Sequence, residues 1–146
     1  MEVDQVEDAI LAKLKNHRSL SYVADFSVLT TVNEEALQKC IQRFPHIGII
    51  SPQGEFSYAS GVQDETARVL VLCFQRNLRS ASAATRSAIP SEKGLWTIMD
   101  DVKNIFIKEG VAGVIECLPK RRSLLWAGEK WACASLDLSV RFRTFL

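Results

Sequence analysis

The chain has 146 residues, of which 47 % are hydrophobic and 24 % are charged, and its formal net charge is +1. This balance is typical of a globular protein with one domain or two very small ones. No run of 18 apolar residues is present, which excludes a membrane-spanning helix, and the acidic N-terminus lacks the layout of a signal peptide. We therefore expect an intracellular protein without membrane contacts.

The small net charge hides an uneven distribution. Residues 1–67 contain five Lys or Arg and ten Asp or Glu, whereas residues 68–146 contain thirteen basic and seven acidic residues. The basic half can orient the molecule toward a polyanion, or the two halves can simply attract each other.

The N-terminal segment is predicted to be helical. Apolar residues at helical spacing predict an amphipathic helix over residues 2–16, and a shorter apolar segment predicts a second helix over 22–29. Thr31 and Glu34 match a capping box, with Asn33 as a competing cap, and indicate a third helix over 32–43.

A small hairpin is predicted to follow the third helix. Residues 46–51 and 55–60 are strand candidates, and Pro52-Gln53-Gly54 between them is typical of a turn. Three helices and a hairpin within the first 60 residues form the layout of a winged helix-turn-helix unit.

The second half contains helix signals followed by strand signals. We predict helices over 63–79 and 95–108, joined by a loop or partly helical linker over 79–94. This order predicts an α+β protein with a winged-helix unit at 1–61 and a second helix-plus-hairpin unit at 62–146, packed against the first. The second unit is either another winged helix or an extension of one α+β domain. The strand candidates are 111–118, 123–128, 130–136 and 140–145.

The stretch TTVNEEALQKCIQRFPHIGIISPQGEFSYAS resembles the winged helix-turn-helix superfamily, and the resemblance covers residues 2–60. It is similar to LOTUS-type modules of RNA-regulating proteins, to the N-terminal module of the zinc-finger antiviral protein group, and to tandem winged helices of transcription-machinery subunits. The resemblance implies a module that binds nucleic acid or another protein.

The third helix carries an acidic surface that is poorly suited to reading a duplex. Carboxylates at its start would repel phosphates, and the wing at 51–55 contains no Lys or Arg. We therefore predict that this face binds a protein, although a merely solvated helix face has the same composition. The predicted protein-binding residues are Glu34, Glu35, Gln38 and Gln42.

Basic residues in the second half suggest contact with a polyanion. Lys120, Arg121 and Arg122 lie between two apolar strand candidates, so we expect them at an exposed tip. Together with Arg76 and Arg79 they are the predicted nucleic-acid-binding residues, the alternative being a solubilising loop. The three tryptophans either stack on bases or pack in the core; they are Trp96, Trp126 and Trp131.

Metal and cofactor sites are not expected. The four cysteines form no C-x-x-C pair, and neither His17 nor His46 lies at ligand spacing from them. We expect buried free thiols. Known catalytic motifs such as the P-loop or G-x-S-x-G do not occur.

These observations favour a non-enzymatic binding module of a larger regulatory complex. Its acidic half would contact a protein and its basic half RNA or DNA. The alternatives are a pure protein–protein scaffold without nucleic-acid binding and, third, an enzyme with an unrecognised pocket.

Overall fold

The structure, a computed structural model, describes residues 1–77, 81–89 and 92–146. Its described part is built on a long twisted sheet with helices on both faces. A single 3₁₀ turn at Arg18–Leu20 follows the first helix. In chain order the other elements are α1 (Val3–Lys15), β1 (Asp25–Val28), α2 (Glu34–Cys40), β2 (His46–Ala59), β3 (Val62–Arg76), α3 (Ala81–Arg86), β4 (Ala88–Ile89), β5 (Glu92–Lys93), α4 (Leu95–Lys108), β6 (Glu116–Ala127) and β7 (Trp131–Phe145).

Five of these strands form one mixed sheet in the order β1-β2-β3-β7-β6. The short strand β1 runs parallel to β2, and all other pairs are antiparallel. β2 and β3 form a long hairpin whose turn contains Gly61, with φ of 72°, a conformation that favours glycine. β4 and β5 make a separate small hairpin.

The two faces of the sheet bury different clusters. Because side chains alternate along a strand, Val69, Val71 and Cys73 of β3 pack with α1 and α4, whereas Leu70, Leu72 and Phe74 lie on the other face with residues of α2. The middle of β3 is therefore buried on both sides. The first face is covered along much of its length, while α2 covers one end of the second.

The predicted winged helix-turn-helix unit and its second helix-plus-hairpin unit are wrong. Residues 25–28 of the predicted second helix form β1, and residues 63–76 of the predicted fourth helix belong to β3. The predicted turn at 52–54 lies inside the continuous strand β2. The chain is a mainly β structure around one mixed sheet, and the wing is part of that sheet.

Two physical reasons account for these errors. β3 is buried on both faces, so its apolar run lacks the alternation that marks a half-exposed strand. Pro52 falls in the irregularity between Ile50 and Gln53, where the pairing with β3 shifts register, and proline is tolerated at such a position.

Other predicted elements are confirmed. Helices over 2–16 and 95–108 correspond to α1 and α4, and the strand candidates 123–128 and 130–136 fall largely within β6 and β7. At α2 the competing cap is the observed one, because the Asn33 side chain accepts a hydrogen bond from the Ala36 amide at 3.0 Å. A boundary after residue 61 would fall at the turn of the β2–β3 hairpin, and the division into two units stays a prediction.

In the described part of the chain, no helix combines the length and the apolar character needed to cross a membrane.

Candidate protein interface

The distal end of the sheet extends beyond both of its edge strands. β1 pairs with β2 only from His46 to Ile49, and the β6 pairing begins at Glu116 opposite Arg141. Beyond these points β2, β3 and β7 continue as a three-stranded extension. We call this extension the blade; it comprises residues 56–59, 62–65 and 142–145.

Ionic and backbone contacts hold the blade together. The Arg143 guanidinium donates to both carboxylate oxygens of Asp64, at 2.7 and 3.0 Å, and this contact lowers the pKa of Asp64. The Leu146 amide donates to the Gly61 carbonyl at 2.9 Å, and the Met1 ammonium donates to the Arg143 carbonyl at 3.4 Å. Both chain ends are thus attached to the blade.

The blade exposes large apolar side chains. Phe56 and Tyr58 pair with Glu65 and Gln63, which places both aromatic rings on the face that carries Ala67. Exposed apolar groups clustered in this way are typical of an interaction surface. We call this pair the aromatic tip; Phe56 is 55 % and Tyr58 is 66 % exposed, whereas Phe145, which pairs with Val62, lies on the opposite face.

The predicted protein-binding residues lie elsewhere, on and just after α2. Glu34, Glu35, Gln38 and Gln42 are all exposed, and their role stays a prediction. Gln38 lies on a shallow groove of about 280 Å³ whose other lining residues are Ile41, Phe44, Lys130 and Trp131.

Aromatic packing forms the floor of this groove. The Trp131 ring is 5.5 Å from both the Phe74 and Trp126 rings and 5.8 Å from that of Phe44. Trp131 is buried and Trp126 is half-buried. These two tryptophans therefore pack against other protein side chains, as the core-packing alternative predicted.

The predicted nucleic-acid-binding residues do not form one surface. Lys120, Arg121 and Arg122 lie inside the edge strand β6 rather than at a tip, which corrects the expected placement. Arg76 pairs with Trp131 at the far end of β3, about 20 Å along the sheet from the Arg121 position. Arg79 lies outside the described residues.

The basic groups that do converge include one that the sequence did not suggest. Arg68 of β3 and Arg121 of β6 both contact Asp137 of β7, at 2.9 and 3.1 Å. The sequence of β7 contained a sign of this polar cluster, because Ser135, Asp137 and Ser139 alternate with buried apolar residues. That period of two places them together on the sheet face opposite α1 and α4.

Three of the four cysteines are buried free thiols, as predicted. Burial raises the pKa of Cys73 and of Cys117 to about 12 and also raises that of Cys133, so these thiols are unreactive near neutral pH. Cys40 is exposed instead. Within 1–77, 81–89 and 92–146 no three or more His, Cys, Asp or Glu are grouped to hold a metal, and the prediction of no metal stays a prediction.

Fold and surface together define a mainly β protein with a mixed five-stranded sheet, flanking helices and an exposed aromatic extension. Among known protein families, the one described as Bacteriophage Mu, Gp37 matches residues 2–143, almost the whole chain. The chain belongs to the bacteriophage Mu Gp37 family. No curated protein matches it.

Family membership corrects the sequence-based function. The winged-helix, LOTUS-like and tandem-module resemblances are wrong. They therefore no longer support the prediction of RNA or DNA binding. Membership of a bacteriophage family instead favours protein partners, the scaffold alternative.

Proposed function

We propose that this chain is a non-enzymatic structural component of a bacteriophage particle that binds another protein of the particle through its aromatic tip. The observation that carries the proposal is the aromatic tip itself. Phe56 and Tyr58 stand on a strand that is paired with β3 throughout the blade, and they remain more than half exposed. Rigid aromatic side chains lose little conformational entropy on binding and contribute strongly to protein interfaces.

The location of the tip supports the same proposal. The blade projects past β1 and β6, so a partner can reach the tip without displacing either edge strand. The contacts of Asp64 with Arg143 and of Leu146 with Gly61 fix the blade before any partner binds. Such preorganisation reduces the entropic cost of association.

Complementation of the phage tests the proposal. A phage with a nonsense mutation in this gene would be complemented in trans by the wild-type chain or by a Phe56→Ser/Tyr58→Ser double variant. We expect the double variant to lower the yield of infectious particles by about tenfold or more, because an interface that loses two anchors loses several kcal/mol. Particle yield and electron microscopy of purified particles are the readouts.

A matched control separates binding from general surface hydrophobicity. Ile107 of α4 is 62 % exposed, comparable to the two aromatic residues, and lies away from the blade. Ile107→Ser should complement like the wild type, and circular dichroism should show that all variants fold. The proposal fails if the chain is absent from purified particles and the double variant complements normally.

The exposed surface of α2 is tested separately in the same complementation assay. Glu34, Glu35, Gln38 and Gln42 remain predicted contact residues, all exposed. Charge reversal by Glu34→Lys/Glu35→Lys should reduce yield only if this helix also meets a partner, so its effect is scored independently of the tip.

A further inference from the structure

A groove on the sheet face opposite α1 and α4 concentrates charged side chains. It has a volume of about 230 Å³ and runs between the irregular part of β2 and the edge strand β6. Its floor is formed by β3 and β7, and its charged lining residues are Glu55, Arg68, Lys120, Arg121 and Asp137. We call it the charged groove.

A buried carboxylate positions two guanidinium groups in the charged groove. The Arg68 Nε and the Arg121 Nη2 both donate to the same Oδ2 of Asp137, at 2.9 and 3.1 Å. The Asp137 side chain is only 6 % exposed, whereas those of Arg68 and Arg121 are 41 % and 66 % exposed. The two guanidinium groups are therefore fixed from below while their remaining N–H groups face solvent.

The groove carries uncompensated positive charge. Asp137 is shared by two arginines, and Lys120 on the same wall forms no ion pair with any residue of the described ranges. Glu55 is the one exposed acidic residue among those lining the groove in the described structure. Three cations thus face one buried and one exposed carboxylate, which favours an anionic ligand group.

We propose that the charged groove binds a carboxylate side chain from an acidic segment of the partner protein, an inference that rests on the proposed protein-binding function. Guanidinium groups pair with a planar carboxylate through parallel N–H···O bonds, and here two of them are already held side by side. Lys120, an exposed lining residue, adds a third donor. Desolvation by the groove walls strengthens these contacts relative to a flat surface.

Binding of a labelled peptide to the purified full-length chain tests the inference. Fluorescein-labelled octaglutamate should bind at low ionic strength, octaglutamine should not, and affinity should fall as salt is added. Lys120→Gln combined with Arg121→Gln should weaken binding about tenfold. Glu55→Gln should tighten it several-fold, because this change removes the one exposed negative charge of the groove.

The control is a lysine on another surface. Lys39 of α2 is exposed and does not line the charged groove, so Lys39→Gln makes elsewhere the charge change that the single variant Lys120→Gln makes in the groove. The inference is overturned if octaglutamate binds no better than octaglutamine, or if Lys39→Gln weakens binding as much as Lys120→Gln does. Displacement by inorganic phosphate far more readily than by free glutamate would also overturn it in favour of a phosphate site.

The two proposals fail separately. If octaglutamate does not bind but the tip variants are still defective in particle assembly, the inference about the charged groove fails and the proposed function stands. If octaglutamate binds, but the chain is absent from particles and the tip variants complement normally, the proposed function fails instead.

Discussion

Arg121 and Arg122 are adjacent in the sequence, yet their side chains lie on opposite faces of the sheet. Arg121 contacts Asp137 at 3.1 Å on the face of the charged groove. The Arg122 guanidinium lies 4.8 Å from the centroid of the Trp96 ring, on the face covered by α4. The run of three basic residues in β6 is therefore divided by strand alternation rather than presented as one patch.

This arrangement predicts that Arg122, but not Arg121, is energetically coupled to Trp96. A double-mutant cycle with Arg122→Ala and Trp96→Leu should give a coupling energy of about 0.5–1 kcal/mol, the usual range for an exposed cation–π contact. The same cycle with Arg121→Ala should give a value near zero. Urea unfolding of the four proteins in each cycle measures the coupling, and equal values in both cycles would contradict the assignment of faces.

Asp137 predicts a non-additive pair at the charged groove. Because Arg68 and Arg121 donate to the same carboxylate oxygen, either one keeps the buried Asp137 paired when the other is removed. Arg68→Ala and Arg121→Ala should each lower the free energy of unfolding by about 1 kcal/mol, and together by about 3 kcal/mol. Denaturant titration tests this, and strictly additive losses would show that Asp137 does not depend on the pair.

The elements that the sequence predicted well share a one-sided environment. α1 and α4 each bury one apolar face, so the 3.6-residue period of their apolar residues is recognisable in the sequence. Asn33 caps α2, and asparagine is a residue type that favours this position. β3 packs on both faces, which removes its alternation, and β2 extends through a proline because a register shift accommodates it. These segments form strands because of their burial in the tertiary structure, and the local sequence pattern does not indicate that burial.

The candidate surfaces were harder to predict for a related reason. Arg68 and Arg121 are 53 positions apart, and only the pairing of β3 with β7 and of β7 with β6 brings them to Asp137. The aromatic tip depends on where β1 and β6 stop, which no spacing in the chain encodes. By contrast, the exposure of Glu34 and Gln38 follows from the helical period alone, and their protein-binding role stays a prediction.

His46 predicts a pH dependence of stability. Its side chain is buried, its Nε2 is 2.7 Å from the Ser27 hydroxyl, and its Nδ1 is 3.8 Å from an Asp25 oxygen, too far for a hydrogen bond. Burial lowers the pKa of His46 below its ordinary 6.5, and the opposing effect of Asp25 is smaller. The unfolded chain then binds this proton more readily than the folded chain.

The lowered pKa of His46 should make the folded protein less stable at acidic pH. Below about pH 6.5 protonation favours the unfolded chain, so the free energy of unfolding should fall as pH decreases toward the folded pKa of His46. His46→Gln should flatten this slope. The raised pKa values of Glu7 and Glu65 act in the opposite direction and are common to both proteins. An identical slope in the wild type and His46→Gln would contradict the prediction.

At Gly94, adding a single methyl group should clash with backbone atoms. Gly94 is the N-cap of α4 and packs directly on the backbone of α3 and its C-terminal end, so a Cβ would lie 2.7 Å from the Ser87 nitrogen and 2.8 Å from the Thr85 carbonyl carbon. Backbone atoms cannot rotate away as a side chain can, so α3 or α4 must shift. Gly94→Ala should therefore cost about 1–3 kcal/mol of stability, the range for overpacking.

Gly110, just beyond the other end of α4, is the matched control because a Cβ there meets no atom within 4 Å. Gly110→Ala should be neutral or stabilising by up to about 1 kcal/mol, since it restricts the unfolded chain without a clash. Thermal unfolding of both variants measures the difference. A Gly94→Ala protein as stable as Gly110→Ala would mean that α3 does not pack this closely on the start of α4, because the same substitution at an open site carries no steric penalty.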